Sequence, residues 1–175
     1  MKKADIGKDR FYSDGKQGLR HVLDMGPQYK AYEGVADDDC LRFRILSAPN
    51  SNLVHEVSNA TMTSFAAWAK AEIPGAEVAG FLLVLKARKL IKGLTDPQRK
   101  FLLSFDKDLE IGESIECARA DSTMALGCWK KGIVSNVPAK LAPEKKFFNL
   151  EFTELGIALI AELDKEEQLA ASVGA

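Results

Sequence analysis

Asp121-Ser122-Thr123-Met124-Ala125-Leu126-Gly127-Cys128-Trp129-Lys130-Lys131, followed at once by Gly132-Ile133-Val134-Ser135, is the stretch on which the fold turns. The spacing predicts a short helix that stops at Gly132. Leu126, Trp129 and Ile133 fall on one flank, expected to pack. Thr123, Gly127, Lys130 and Lys131 follow i, i+4, i+7, i+8 spacing on another, expected to face outward. Ser122 or Asp121 is of a type that caps a helix N-terminus. Beyond Ser135, a loop carrying Pro, Lys and Ala leads to Lys146-Phe147-Phe148-Asn149-Leu150-Glu151-Phe152, which reads as a second strand. The order is helix, hairpin, then a new helix opening at Thr153.

Upstream, Leu94-Thr95-Asp96-Pro97-Gln98 opens another helix. Thr95 and Gln98 stand three apart, as a capping box requires, and Asp96 and Pro97 suit a first turn. Phe101, Leu102 and Phe105 supply its buried stripe. Glu113 to Ala120 is expected to form a short second helix, with Ile115 and either Cys117 or Ala118 inward. The closing helix from Thr153 buries Leu155, Leu159, Ile160 and Leu163. Past Asp164 the chain turns Glu-rich, then small and polar, and is expected to fray.

Three matches, in this order, carry a resemblance: Leu94-Thr95-Asp96-Pro97-Gln98, then Lys130-Lys131-Gly132-Ile133-Val134, then Phe152-Thr153-Glu154-Leu155-Gly156. Over residues 94–163 the chain resembles the winged helix-turn-helix domains of bacterial regulators, the MarR type included. The resemblance implies a double-stranded DNA partner, with the third helix entering a major groove. Thr123 and Lys130 or Lys131 would approach base edges, Ser122 would contact phosphate, and Gly127 would permit close approach. Lys140, Lys145 and Lys146 of the wing would reach a neighbouring groove or the backbone. The reading helix holds no Arg, Asn or Gln, and the wing lacks the acidic-plus-arginine pattern of MarR-type wings. Backbone or shape-dependent contact asks less of these residues than base reading does.

Charge points the same way. The net charge is -1, yet 86–150 carries +5 and the remainder -6. Lys86, Arg88, Lys89, Lys92, Arg99 and Lys100 form the densest cluster, interrupted only by Asp96. Such a cluster suits phosphate neutralisation, with Arg99 and Lys100 as further contacts, or else a solvated helix face.

The N-terminal half reads as a small antiparallel sheet with a helix, an α+β unit. Met1 to Gly18 is polar and expected to enter it loosely. Leu19 to Asp24 and Tyr29 to Glu33 read as short strands around the Met25-Gly26-Pro27 turn. Leu41 to Leu46 alternates, placing Leu41, Phe43 and Ile45 inward and Arg42 and Arg44 outward. A turn at Ala48 to Asn52 leads to Leu53 to Val57, where Glu56 is placed to pair with one arginine. Asp37-Asp38-Asp39 reads as an exposed turn, and His21 and His55 as satisfied polar residues. Ser58 to Ser64 carries capping types ahead of a helix over Phe65 to Ile73, whose Phe65 and Trp68 lie on the sheet. Pro74-Gly75 ends it. A further helix from Ala76 bears an apolar surface (Val78, Phe81, Leu82, Leu85, Val84, Ala87, Ile91) wide enough for two neighbours, the winged domain as one and either the N-terminal sheet or a second subunit, hence a homodimer, as the other.

The expected organisation is an N-terminal α+β domain at 1–75, a connecting helix at 76–93, a winged-helix domain at 94–165 and a flexible tail at 166–175. With 175 residues and 46% hydrophobic content the chain is long enough for a packed core. It carries no apolar secretory core, and its longest apolar run, Val78 to Leu85, is far too short for a bilayer, so a cytoplasmic protein without a membrane partner is expected. Cys40, Cys117 and Cys128 form neither a CxxC pair nor a cluster with histidine, and read as reduced, buried thiols rather than metal ligands. No metal or cofactor is implied. The leading function is a DNA-binding regulator of transcription or accessory factor, whose N-terminal unit senses, dimerises or recruits. The second is a protein-interaction module, an inhibitor or adaptor from a mobile element. An enzyme comes last, since the chain has no phosphate loop, nucleophile elbow or triad that would identify catalytic residues.

Overall fold

A computed structural model describes residues 1–30, 33, 39–106 and 108–173. The chain is α+β, with two antiparallel sheets, and divides into two compact units, Met1–Leu82 and Leu83–Ala175.

In the first unit, strands β1 (Phe11–Ser13), β2 (Leu19–Met25), β3 (Cys40–Ser47) and β4 (Val57–Thr61) form a meander; α1 (Met62–Trp68) follows, and β5 (Ala71–Ile73) returns to pair with β1. Alternation in β3 puts Leu41, Phe43 and Ile45 in the core and leaves Arg42 and Arg44 exposed. The N-terminal stretch is not a loose entry: Phe11–Ser13 is an interior strand with Tyr12 and Ser13 buried. Three residues are too few to show a period, so neither β1 nor β5 is visible in the sequence. The strand expected over Leu53 to Val57 begins only at Val57, because a 3-10 turn at Ser51–Leu53 and a positive φ of 74° at His55 delay it. Glu56 makes no ion pair among the described residues. Tyr29 lies in a 3-10 turn, where its hydroxyl donates to Asp24 Oδ2 at 2.7 Å. Ala31 and Tyr32 of the expected Tyr29 to Glu33 strand lie outside the described residues, as do Asp37 and Asp38.

Thr61 caps α1, accepting from Ser64 N, and the helix ends at Trp68 rather than Ile73. Phe65 is fully buried against Tyr12 and Phe43. The Arg20 guanidinium lies 3.9 Å from the Trp68 ring centre and 4.5 Å from that of Phe43, a cation held on aromatic faces.

Helix α2 (Val78–Ile91) reaches into the second unit, which continues with α3 (Asp96–Leu103), β6 (Ser114–Ala118), α4 (Ser122–Lys130), β7 (Val134–Ser135), β8 (Phe147–Phe152) and α5 (Glu154–Val173). The sheet order is β6-β8-β7. Ala87, Ile91, Phe101, Leu102, Ala125, Cys128, Ile133, Phe148, Leu150, Phe152, Leu159 and Leu163 share one core. The capping box is present: Thr95 Oγ1 accepts from Gln98 N, and Gln98 Oε1 accepts from Thr95 N.

The helix expected over Glu113 to Ala120 is a strand. Ile115 and Cys117 face the core and Ser114, Glu116 and Ala118 face out, a period of two set by five register pairs with β8. Ile115 paired with Cys117 fits the period of a strand and Ile115 paired with Ala118 that of a helix, and so short a run does not choose between them. Only a 3-10 turn at Arg119–Asp121 then precedes α4. The expected tail is helical as far as Val173.

Burial raises the Cys117 and Cys128 thiols to about 11, and all three cysteines are buried, with no disulfide among the described residues. No helix among the described residues is long and apolar enough to cross a membrane.

Candidate functional site

The two ends of α4 are built differently. At its start, Asp121 occupies the capping position without a side-chain hydrogen bond, contrary to expectation, because the preceding 3-10 turn holds it in helical backbone. At its end, Gly132 takes φ 72°, letting its own N–H reach Trp129 O and the Ile133 N–H reach Cys128 O. This left-handed stop turns the chain directly into β7.

Thr153 closes the same junction. Its Oγ1 donates to Gly132 O at 2.8 Å and Ile133 O at 3.1 Å while accepting from Gly156 N, so one hydroxyl ties the end of α4 to the start of α5. A side chain at Gly156 would overlap the Ile133 carbonyl. The Phe152-Thr153-Glu154-Leu155-Gly156 segment therefore acts as a packing joint.

The α4 flanks differ from the expected pattern in two ways. Trp129 is 47% exposed, on the rim of the buried face defined by Ala125 and Cys128. Gly127 faces the Gln98 amide of α3, so its missing side chain serves helix packing. Lys131 shares that side: its Nζ donates to Gly93 O at 2.6 Å and Gln98 Oε1 at 3.1 Å. Arg99 donates from Nη2 to Ile91 O at 2.9 Å and pairs with Glu166 at 3.3 Å. Two nominated cations thus close the C-terminal end of α2, where free carbonyls and the helix dipole favour positive charge.

The others remain at the surface. Thr123, Lys130, Lys100, Lys140, Lys145 and Lys146 are exposed and Ser122 is half-buried. None of these lysines makes an ion pair among the described residues. Arg119, which sequence reasoning passes over, organises the 136–146 loop. Its Nη1 donates to Ala142 O at 2.7 Å, Lys145 O at 3.0 Å and Pro143 O at 3.2 Å, and its backbone N–H to Lys146 O. The loop cations are thereby anchored three residues before α4 begins. Lys130 lies at the far end, about 12 Å along the helix axis at 1.5 Å per residue. Asn136 starts the loop with φ 57° and donates from Nδ2 to Glu151 Oε1 at 2.6 Å.

Glu162 on α5 is 5% exposed and accepts from Arg88 Nε and Lys165 Nζ, both at 2.6 Å. Burial works to raise its pKa, but these hydrogen bonds outweigh burial and hold the carboxyl below its ordinary value. Arg88 is thus engaged by a structural carboxylate, which removes it from the basic cluster. Among the described residues, no group of three or more His, Cys, Asp or Glu is arranged to hold a metal ion. No protein-family model, curated protein or solved structure matches this chain.

Proposed function

We propose that the second unit is a winged-helix DNA-binding module that grips duplex through its phosphates, with α4 and the β7–β8 hairpin as the contacting elements. The observation that carries this is the set of exposed lysines at both ends of α4 that make no ion pair among the described residues: Lys130 at one, Lys140, Lys145 and Lys146 on the Arg119-braced loop at the other. Lysines without carboxylate partners keep their full charge for a polyanion. The exposed residues of α4 are Thr123, Trp129 and Lys130, too few hydrogen-bonding side chains for a base code, so the contact is to backbone and groove shape. Regulation of transcription or an accessory role on DNA follows from such binding.

The test is anisotropy titration of two unrelated labelled duplexes with the full chain and with a Lys130→Glu/Lys145→Glu variant. Similar binding of both duplexes by the wild type, lost in the variant, supports the proposal. No binding of either duplex at low salt removes it.

Exposure of Trp129 and of Phe147 (53%) favours a second reading, in which the same surface docks a protein and the molecule acts as an inhibitor or adaptor. Trp129→Ala abolishing capture of a defined protein partner while sparing duplex binding would favour this alternative.

A further inference from the structure

The outer face of the β6-β8-β7 sheet carries a cleft of about 500 Å³, walled by the 136–146 loop. Glu116 of β6 and Asn149 of β8 are register partners on its floor. Phe147 stands at the start of β8, and Lys140 and Lys145 line the loop side. Asn136 lies at the loop's base, with its amide nitrogen committed to Glu151.

We infer that this cleft holds one unpaired nucleotide of a single-stranded segment. Its base stacks on Phe147, its hydrogen-bonding edge meets Glu116 and Asn149, and its flanking phosphates meet Lys140 and Lys145. This deepens the nucleic-acid reading above and rests on it. The volume is that of a small-ligand site. An exposed aromatic ring sharing a cleft with cations is the arrangement that stacks bases while neutralising a backbone.

Glu116 separates a nucleotide from a bare phosphate. It repels a phosphate, yet it lines the same cleft as two lysines and pairs with neither among the described residues. A carboxylate accepts hydrogen bonds, so it selects a partner that presents N–H or O–H donors. Guanine, with adjacent ring and amino N–H groups on one edge, presents two, and Asn149 supplies both a donor and an acceptor beside it.

The experiment compares the full chain with Phe147→Ala, Glu116→Ala and Lys130→Ala. Probes are a blunt duplex, an oligothymidine, the same oligomer with one guanosine, and its RNA counterpart. The inference expects Phe147→Ala to weaken single-strand binding by about five- to 150-fold, the span of one base stack, while sparing the blunt duplex. Lys130→Ala weakens the duplex. Glu116→Ala erases the preference for the guanosine-bearing oligomer; tighter binding of the DNA or of the RNA form identifies which strand is held. Duplex binding with single-strand affinity unmoved by Phe147→Ala, or with guanosine preference unmoved by Glu116→Ala, overturns this inference alone. Absence of binding to every probe overturns both readings.

Discussion

Gly156→Ala sets two opposed effects against each other at the start of α5. Helix propensity alone favours alanine over glycine by up to about 1 kcal/mol. Here the added Cβ would overlap the Ile133 carbonyl oxygen and stand 2.9 Å from Phe152 Cδ1 and 3.1 Å from Ile133 C. That oxygen is not free to retreat, because Thr153 holds it through N–H at 3.2 Å and through Oγ1 at 3.1 Å. Forcing a methyl into a packed joint costs about 1–3 kcal/mol, and each hydrogen bond lost adds about 1 kcal/mol. The expected net is a destabilisation of about 2 kcal/mol. Urea unfolding followed by helical circular dichroism measures it. Gly80→Ala is the control, since an added Cβ in α2 meets nothing within 4 Å and should stabilise by up to about 1 kcal/mol. If Gly156→Ala stabilises as Gly80→Ala does, the joint between α4, β7 and α5 is not packed this way.

Lys130→Met and Lys131→Met should separate function from structure. The first lowers duplex affinity with little change in urea midpoint. The second costs about 1–2 kcal/mol, through the lost hydrogen bonds to Gly93 and Gln98, and changes affinity little; equal effects on affinity would contradict the division. Glu162→Gln removes a buried carboxylate whose folded pKa is depressed. Its stabilising contribution is present above the ordinary carboxylate range and is lost as pH falls through the folded value. The variant should therefore be less stable at neutral pH and converge on the wild type in acid; a constant gap from neutral to acidic pH would refute this. Arg119→Ala should loosen the 136–146 loop, seen as faster amide exchange there while α3 and α5 stay protected.

Much of this was legible in the residues, for identifiable reasons. The Thr95 and Gln98 capping box, the Gly132 stop, the alternation in Leu41 to Leu46 and the run ending at Phe152 are local patterns, and a local pattern can be read from sequence. Ser114 to Ala118 was not legible as a strand, because pairing with a β8 segment about 30 residues away decides it. Ser58 to Thr61 looked like capping residues because an edge strand that buries little need not be apolar. The candidate site divides along the same line. Exposed lysines were visible as charge, but the carbonyls of Ile91 and Gly93 that claim Arg99 and Lys131, and the loop carbonyls that claim Arg119, are meetings made by the fold. So is the cleft, where Glu116 and Asn149 become neighbours only through strand register.

The salt dependence of duplex binding tests the central claim most directly. Four phosphate contacts, from Lys130, Lys140, Lys145 and Lys146, give a slope of log affinity against log salt of about -3.6, or about 150-fold weaker binding between roughly 50 and 200 mM. A slope near that value, reduced by about one when Lys130 alone is replaced, is the expected result. Binding that ignores salt, or no binding at the low end, would contradict it.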